Sequence, residues 1–424
     1  MTDRRSFIRK SAALLGGLAL HHHAAAAFPQ LPSAALDLPL QNDDDFWRQV
    51  RMAYAASPNI VNLNNGGVCP APRATMDALD YYNRMCNEAP SYYMWRTLDE
   101  DREPLRENLA RLAGCATDEI AINRNATEAL NTVIFGLPLK AGDEVVVCKY
   151  DYPNMINAWK QREQRDGIKL VWVDLQLPSE NAAYITEAYS SKFTDKTRLV
   201  HITHIINWSG QILPARQIAD RAHARGIEVL IDGAHSFALL DYKIPDLGGD
   251  YFGTSLHKWL CAPFGSGMLW VKKEKIGKIW PLLSNTEPVS DNIRKFESLG
   301  TRSFPIEMAI GYSLDLHNMI GTARKQQRLH FLKNYWMEQV RDVPDIQFYT
   351  SIKPEWSCAI GVFGFTGKKA VDISYNLYKD YKIHSVGIEW EKINGVRITP
   401  NVYTMPEDLD KLVRAIKMMG GEKR

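Results

Sequence analysis

The chain reads as an α/β protein: a mostly parallel sheet with helices on both faces, then a smaller C-terminal α+β domain. Three observations predict this. Short β-branched runs alternate with amphipathic stretches over the middle of the chain. Those runs are apolar throughout, as in strands buried on both faces. The length, 424 residues, suits a large domain plus a smaller one better than a single compact unit.

Taken in order, residues 44–60 read as a short helix and "NIVNLNNGGVCPAP" (59–72) as a strand entering a Gly/Pro loop. Helical spacing follows over 73–89 and 102–114. The strand candidates are "DEVVVC" (143–148), "IKLVWVDL" (168–175), "TRLVHITHI" (197–205) and "IEVLID" (227–232), with helices expected over 153–166, 182–193 and 214–225. That alternation implies right-handed β-α-β crossovers. Near 280–305 the composition turns loop-rich. A long helical region (306–341), a β-rich segment (345–402) and a terminal helix (406–418) complete the chain. The expected organisation is a signal over 1–27, a segment over 28–60 packing on the small domain, a large cofactor-binding domain over 61–300 and a smaller domain over 301–424.

Charge excludes one broad class. Lys+Arg of 51 against Asp+Glu of 49 leaves no basic excess for tracking a phosphate backbone, so no nucleic-acid partner is expected. The six cysteines are scattered singly, without a CxxC or Cys/His cluster, so no metal site is expected. The N-terminal "DRRSFIRKSAALLGGLALHHHAAAAFPQLP" runs from paired arginines (Arg4, Arg5) through a modest apolar stretch to small residues. That order is a secretory signal, and the arginine pair points to the twin-arginine type. The expected partner is the twin-arginine export machinery, and the expected location is periplasmic or secreted in a bacterium. No later segment is apolar for long enough to span a bilayer, so no membrane contact is expected of the mature form. The run His21–His23 has no physical account.

Reactive groups in open α/β sheets collect at the carboxyl ends of strands. Asp232 ends one buried strand, His204 and Asn207 end another, and Lys258 follows "YFGTS". "NRNATEALN" opens a helix with Asn125 as N-cap and Glu128 three residues on. Neither a dinucleotide glycine fingerprint nor GxxxxGK[ST] nor GxSxG occurs. A lysine, a buried aspartate and a helix N-terminus are together what pyridoxal 5′-phosphate (PLP) requires. The lysine takes its aldehyde, the acid pairs its ring nitrogen, and the N-terminus takes its phosphate.

The block "IDGAHSFALLDYKIPDLGGDYFGTSLHKWLCAPFGSGMLWV" resembles the D-x-A-[HQ]…S-x-H-K…GxG signature of the class V aminotransferase family. These are fold-type I PLP-dependent enzymes that include cysteine desulfurases and isopenicillin N epimerase-like proteins. The resemblance runs from about 60 to 418. It implies the PLP-dependent transferase fold type I, with a mostly parallel, seven-stranded-type sheet.

Carried over by position, Lys258 is the Schiff-base lysine, Asp232 the ring-nitrogen partner and His235 a neighbour of the cofactor oxygen. Ser255, His257, Ala126 and Thr127 fall on phosphate positions, and Asn207 on a cofactor-oxygen position. Thr301 matches a threonine that reaches the neighbouring subunit's phosphate, implying a homodimer with shared sites. Arg397, in "GVRITPNVY", matches the arginine that grips a substrate α-carboxylate, for which a planar fork suits. Asn65, in "NLNNGGV", is a further substrate-binding candidate.

Two departures narrow the chemistry. Where desulfurases stack a histidine, this chain has Tyr152, which keeps the stacking and loses the acid–base function. The segment before Arg397 also lacks the desulfurase cysteine. The resemblance therefore implies a small amino-acid-like substrate, worked at Cα through an external aldimine and a quinonoid, by epimerisation or transamination. The alternatives are a C–S lyase and a non-catalytic exported binding protein. Aromatic "SYYMWR" (91–96) is expected as a pocket-lining loop.

Overall fold

The computed structural model describes residues 44–421, so the signal assigned to 1–27, Arg4, Arg5 and His21–His23 lie outside the described residues. The strands are β1 (Val61–Asn62), β2 (Ile120–Asn123), β3 (Glu144–Cys148), β4 (Lys169–Val173), β5 (Thr197–Thr203), β6 (Glu228–Asp232) and β7 (Tyr251–Ser255). They continue as β8 (Gly267–Val271), β9 (Ile346–Phe348), β10 (Gly361–Phe365), β11 (Ile383–His384), β12 (Val386–Trp390) and β13 (Ile393–Ile398).

Seven of them form the central sheet in the order β2-β8-β7-β6-β5-β3-β4. Only β8 runs against its neighbours. The strands alternate between two apolar layers. Val145, Val147, Leu199 and Leu230 face the layer holding helices Ala126–Gly136 and Pro153–Asp166. Val146, Val200, Val229 and Ile231 face the layer with helices Ala182–Ser190 and Ala215–His223. Burying both faces is why the strands carry no polar alternation.

A second, antiparallel sheet has the order β12-β13-β10-β9. Helices Thr322–Val340, Ala370–Tyr381 and Pro406–Met419 accompany it. The helix Asp44–Met52 packs on this unit: Arg51 reaches Asp408 at 2.5 Å, and the Arg328 guanidinium lies 4.9 Å over Trp47. β1 pairs in parallel with β11, and Asn64 bridges Thr399, which carries the "NLNNGG" segment across to β13.

Some local expectations change. The helical region 306–341 is two helices, Phe304–Ile320 and Thr322–Val340, broken at Gly321 (φ 84°). The segment 345–402 contains a full helix, Ala370–Tyr381. Residues 91–96 belong to a continuous helical run with a π-helical stretch, Tyr93–Leu98, and are absent from the lining of the cavity described below. The reason is local: this stretch has no glycine or proline to break it before Asp99–Ala113 begins.

Buried ion pairs join this run to the sheet. Glu297 accepts from Arg102 (2.8 Å), from Arg106 (2.5 Å) and from the Ile122 backbone N–H (2.7 Å). Arg102 also meets Glu307 at 2.5 Å, and Arg302 meets the same carboxylate at 2.7 Å.

Candidate active site

A cavity of about 360 Å³ opens at the carboxyl ends of β5, β6 and β7 and is closed on one side by β12 and β13. Lys258 lies in the connection from β7 to β8, half-buried. That connection is tied down by its own backbone: Leu256 N–H donates to Ser266, Cys261 N–H to Lys258, and the neighbouring Cys69 N–H to His257. β7 and β8 then pair Ser255 with Gly267, and β2 pairs Asn123 with Gly267. Gly267 is therefore the crossing point of both site-bearing strands. A Cβ there would stand 2.5 Å from the backbone N and Cα of Asn125.

The helix Ala126–Gly136 starts at that crossing. Asn125 caps it by accepting from the Glu128 N–H at 2.9 Å, and Glu128 accepts from the Arg124 N–H, one residue before the cap, at 2.7 Å. Ser255 Oγ accepts from the Ala126 N–H at 2.9 Å, so its own proton is free to donate. Ala126, Thr127, Ser255 and His257 line the same end of the cavity. His257 Nδ1 lies 2.9 Å from the Ser266 carbonyl, so Nδ1 carries the proton. Burial and Lys258 lower its pKa, so His257 donates from Nε2 only when an anion there draws on a second proton.

Asp232 is buried and accepts from the Ala234 N–H at 2.9 Å. Burial raises its pKa, while that N–H and Lys258 oppose the rise. Burial pulls the Lys258 amine down to about 8; Asp232 pulls the other way and Arg397 adds to the lowering. His235 Nε2 lies 3.1 Å from Lys258 Nζ, and the Trp259 indole N–H points at Nδ1 from 3.4 Å. An indole only donates, so a neutral His235 carries its proton on Nε2, toward the lysine. Burial, with Lys258 and Arg397 adding, holds that ring well below the ordinary histidine range. The Tyr152 ring centroid is 6.0 Å from Lys258 Nζ.

Arg397 comes from β13. Its Nη1 donates to the Asn207 carbonyl and its Nη2 to Asn64 Oδ1, both at 3.1 Å. Its Nε is buried without a partner, as is Asn207 Oδ1. Burial brings the guanidinium down to about 10, and no carboxylate opposes that among the described residues.

Ten of the twelve site residues named from the sequence line this cavity, and Asn65 and Thr301 do not. The Asn65 side chain donates to the Thr399 carbonyl at 2.8 Å and accepts from the Tyr403 hydroxyl at 2.7 Å, fully buried and outside the lining. Its neighbour Asn64 is the asparagine that touches Arg397. Thr301 is exposed and does not line this chain's own cavity. His204 is buried against Tyr242, outside the lining.

The sequence reading missed Thr203, Trp208, Val386 and Ile388, which all line the cavity. It also missed Asp151, whose carboxylate accepts from the Thr203 hydroxyl and the Cys148 N–H, both at 2.7 Å. Burial pushes Asp151 up to about 7, with the Asp232 charge adding.

PLP fits this arrangement. Two cationic side chains, Lys258 and Arg397, face one carboxylate, Asp232, and the buried Arg397 Nε and Asn207 Oδ1 await partners. A helix N-terminus with a free hydroxyl donor at Ser255 suits a phosphate.

Comparison with known proteins agrees with the geometry. Residues 61–387 match the family Aminotransferase class-V. An isopenicillin N epimerase of Streptomyces clavuligerus is 28% identical over 394 residues, covering 89% of this chain and 99% of the relative. A probable cysteine desulfurase of Halalkalibacterium halodurans is 26% identical, covering 84% and 92%. Among solved structures, a C-DES mutant with glycine covalently linked to its PLP cofactor has a TM-score of 0.78 at 20% identity, covering 87% of this chain and 98% of that one. A lysine in the β7–β8 turn, an acid at the end of β6 and a match running through most of the chain lead to one conclusion: this protein belongs to the class-V aminotransferase family, as a PLP-dependent enzyme.

Proposed function

We propose that the enzyme moves a proton at the Cα of an amino acid or amino-acid-containing substrate, with epimerisation or transamination as the outcome. The observation that carries this is the setting of Lys258, whose amine is lowered to about 8 beside His235 and between Asp232 and Arg397. A base with a pKa near working pH is efficient at both taking and returning a proton. Bound here, PLP supplies an electrophilic aldehyde and a conjugated ring that draws electrons out of a Cα bond.

The residues around it divide the remaining work. In this reading Asp232 pairs with a protonated ring nitrogen, and Tyr152 lies against the ring. Ala126, Thr127, Ser255 and His257, which share one end of the cavity, hold the phosphate in this reading. Arg397 offers Nε and its remaining Nη hydrogens to a carboxylate, while Asn64 and Asn207 fix the plane of the fork. Lys258 then handles the proton.

No cysteine is among the residues lining the cavity, which favours Cα proton chemistry over desulfuration. The relatives named isopenicillin N epimerase support the same choice. The test is exchange of the Cα proton for deuterium by the holoenzyme in D₂O, with wild type and Lys258→Ala in parallel. Exchange in the wild type alone supports the reading. Sulfide and pyruvate formed from cysteine in place of the other enantiomer or the keto acid would point to the lyase instead, and exchange that persists in Lys258→Ala would remove Lys258 from its role.

We further propose that the enzyme works as a homodimer and reaches the periplasm, or is secreted, through the twin-arginine route. The exposure of Thr301, outside its own cavity, supports a role across a dimer. "RRSFIRK" supports the route, and its test is export of an Arg4→Lys/Arg5→Lys variant, which should stay in the cytoplasm. Among the described residues no helix is long and apolar enough to cross a membrane.

A further inference from the structure

The cavity is divided by chemistry. Its ionisable residues are Tyr152, Asp232, His235, His257, Lys258 and Arg397, and each already has a task toward the cofactor or a carboxylate. The wall beside Arg397 is of another kind. Val386 stands directly opposite Arg397 in the β12–β13 register, and Ile388 follows two residues on, so the three side chains leave one face of the sheet. Trp390 is next on that face. It stacks on Trp208 at 4.9 Å with the planes 12° apart, and its indole N–H donates to the Lys149 carbonyl at 2.9 Å. Trp208 lines the cavity, so this backing holds an aromatic plane in place beside Val386 and Ile388.

We propose that the substrate is a single amino acid with an uncharged, apolar side chain, received by Trp208, Val386 and Ile388. The proposal rests on the reading of the site given above. A charged side chain placed there would lose water and find no opposite charge left over in the lining. An apolar one gains from leaving water against that wall. Size adds a limit. About 360 Å³ lies at the lower end of the roughly 300–1,000 Å³ of small-ligand sites, and this volume takes the cofactor as well.

The experiment titrates PLP-loaded enzyme with glycine, alanine, leucine, methionine, phenylalanine, glutamate and lysine, each as both enantiomers. It follows the visible spectrum of the cofactor and Cα deuterium exchange. Leucine, methionine or phenylalanine should exceed glutamate and lysine by about tenfold or more in exchange efficiency. Val386→Arg, at a half-buried position, should move the leucine-to-glutamate ratio toward glutamate by about tenfold. Trp208→Ala should lower the phenylalanine-to-alanine ratio by a similar factor, and the visible cofactor band reports that each variant has folded. Glutamate or lysine matching leucine in the wild type, or ratios unmoved in both variants, would overturn the inference while leaving Cα chemistry intact. A spectrum unmoved by every amino acid, glycine included, would overturn it together with the reading beneath it.

Discussion

Replacing Gly267 by alanine is the sharpest single test of how the site is built. An ideal Cβ at 267 falls 2.5 Å from Asn125 N and Cα, and 2.7 Å from its carbonyl carbon. Comfortable contact between such atoms begins near 3.5 Å, so the two backbones must part by about 1 Å. The obstacle is backbone, so no rotamer change relieves it. The displaced atoms are the N-cap of the helix that begins with Ala126 and Thr127, the proposed phosphate end, together with the strand position opposite Ser255. Each charge-assisted hydrogen bond that a phosphate loses at that helix start costs about 1.5–3 kcal/mol, roughly 10- to 150-fold in affinity. Overpacking costs about 1–3 kcal/mol of stability besides.

The assay is titration of cofactor-free protein with PLP, alongside urea unfolding. Gly226→Ala serves as control: it strains a left-handed turn (φ 70°) with open space around it, remote from the cavity. It should lose about 1 kcal/mol of stability and no cofactor affinity. Gly267→Ala should lose about 100-fold in PLP affinity. If Gly267→Ala bound PLP like the wild type, the crossing of β2, β7 and β8 would not be what sets the phosphate end.

Other outcomes follow from the same geometry. Capture of PLP by cofactor-free protein should accelerate as pH rises through about 8, because the Lys258 amine reacts only when neutral; a rise near the ordinary lysine range would refute its lowered pKa. Asn64→Ala leaves the Arg397 fork without one of its two anchors and should raise KM about tenfold while the visible cofactor band is kept. Glu297→Gln strips a shared partner from Arg102 and Arg106 and should cost about 3–5 kcal/mol in urea unfolding. Burial tends to raise the Glu297 pKa, but the two arginines hold it below its usual value. Its contribution is therefore complete above the unfolded carboxyl pKa and lost as pH falls through the folded one, so the gap between wild type and Glu297→Gln should close in acid.

The sequence exposes those parts of the site that are local in the chain. Asp232 and Lys258 were visible because each sits at a strand end marked by an apolar run on one side and glycines on the other. The helix cap at Asn125 was visible from its spacing to Glu128. Asn64 and Asn65 were not separable. Outside a regular strand no period-two rule says which of two adjacent asparagines faces inward, and here Thr399 and Tyr403 take Asn65. The Trp208–Trp390 stack joins residues far apart in the chain, and nothing near either one signals the other. Asp151 reads as an ordinary turn residue until Thr203 is seen beside it. The break at Gly321 was hidden inside a continuous helical pattern, because a single glycine is tolerated in a helix as well as at its end.

The hairpin from β12 to β13 has a consequence for how this enzyme could change its substrate. Its two strands meet through a two-residue turn, Glu391–Lys392, with Glu391 in the left-handed region (φ 51°). Arg397 and the Val386–Ile388 pair therefore travel on one ribbon whose phase is set at that turn. A change there that slipped the pairing by one residue would turn either Arg397 or the Val386–Ile388 pair to the opposite face. Recognition of the invariant part of an amino acid and of its variable part are thereby geared together. Selection for a new side chain would then act through exchanges of residue type along β12 and at Trp208, with the length of the hairpin left untouched.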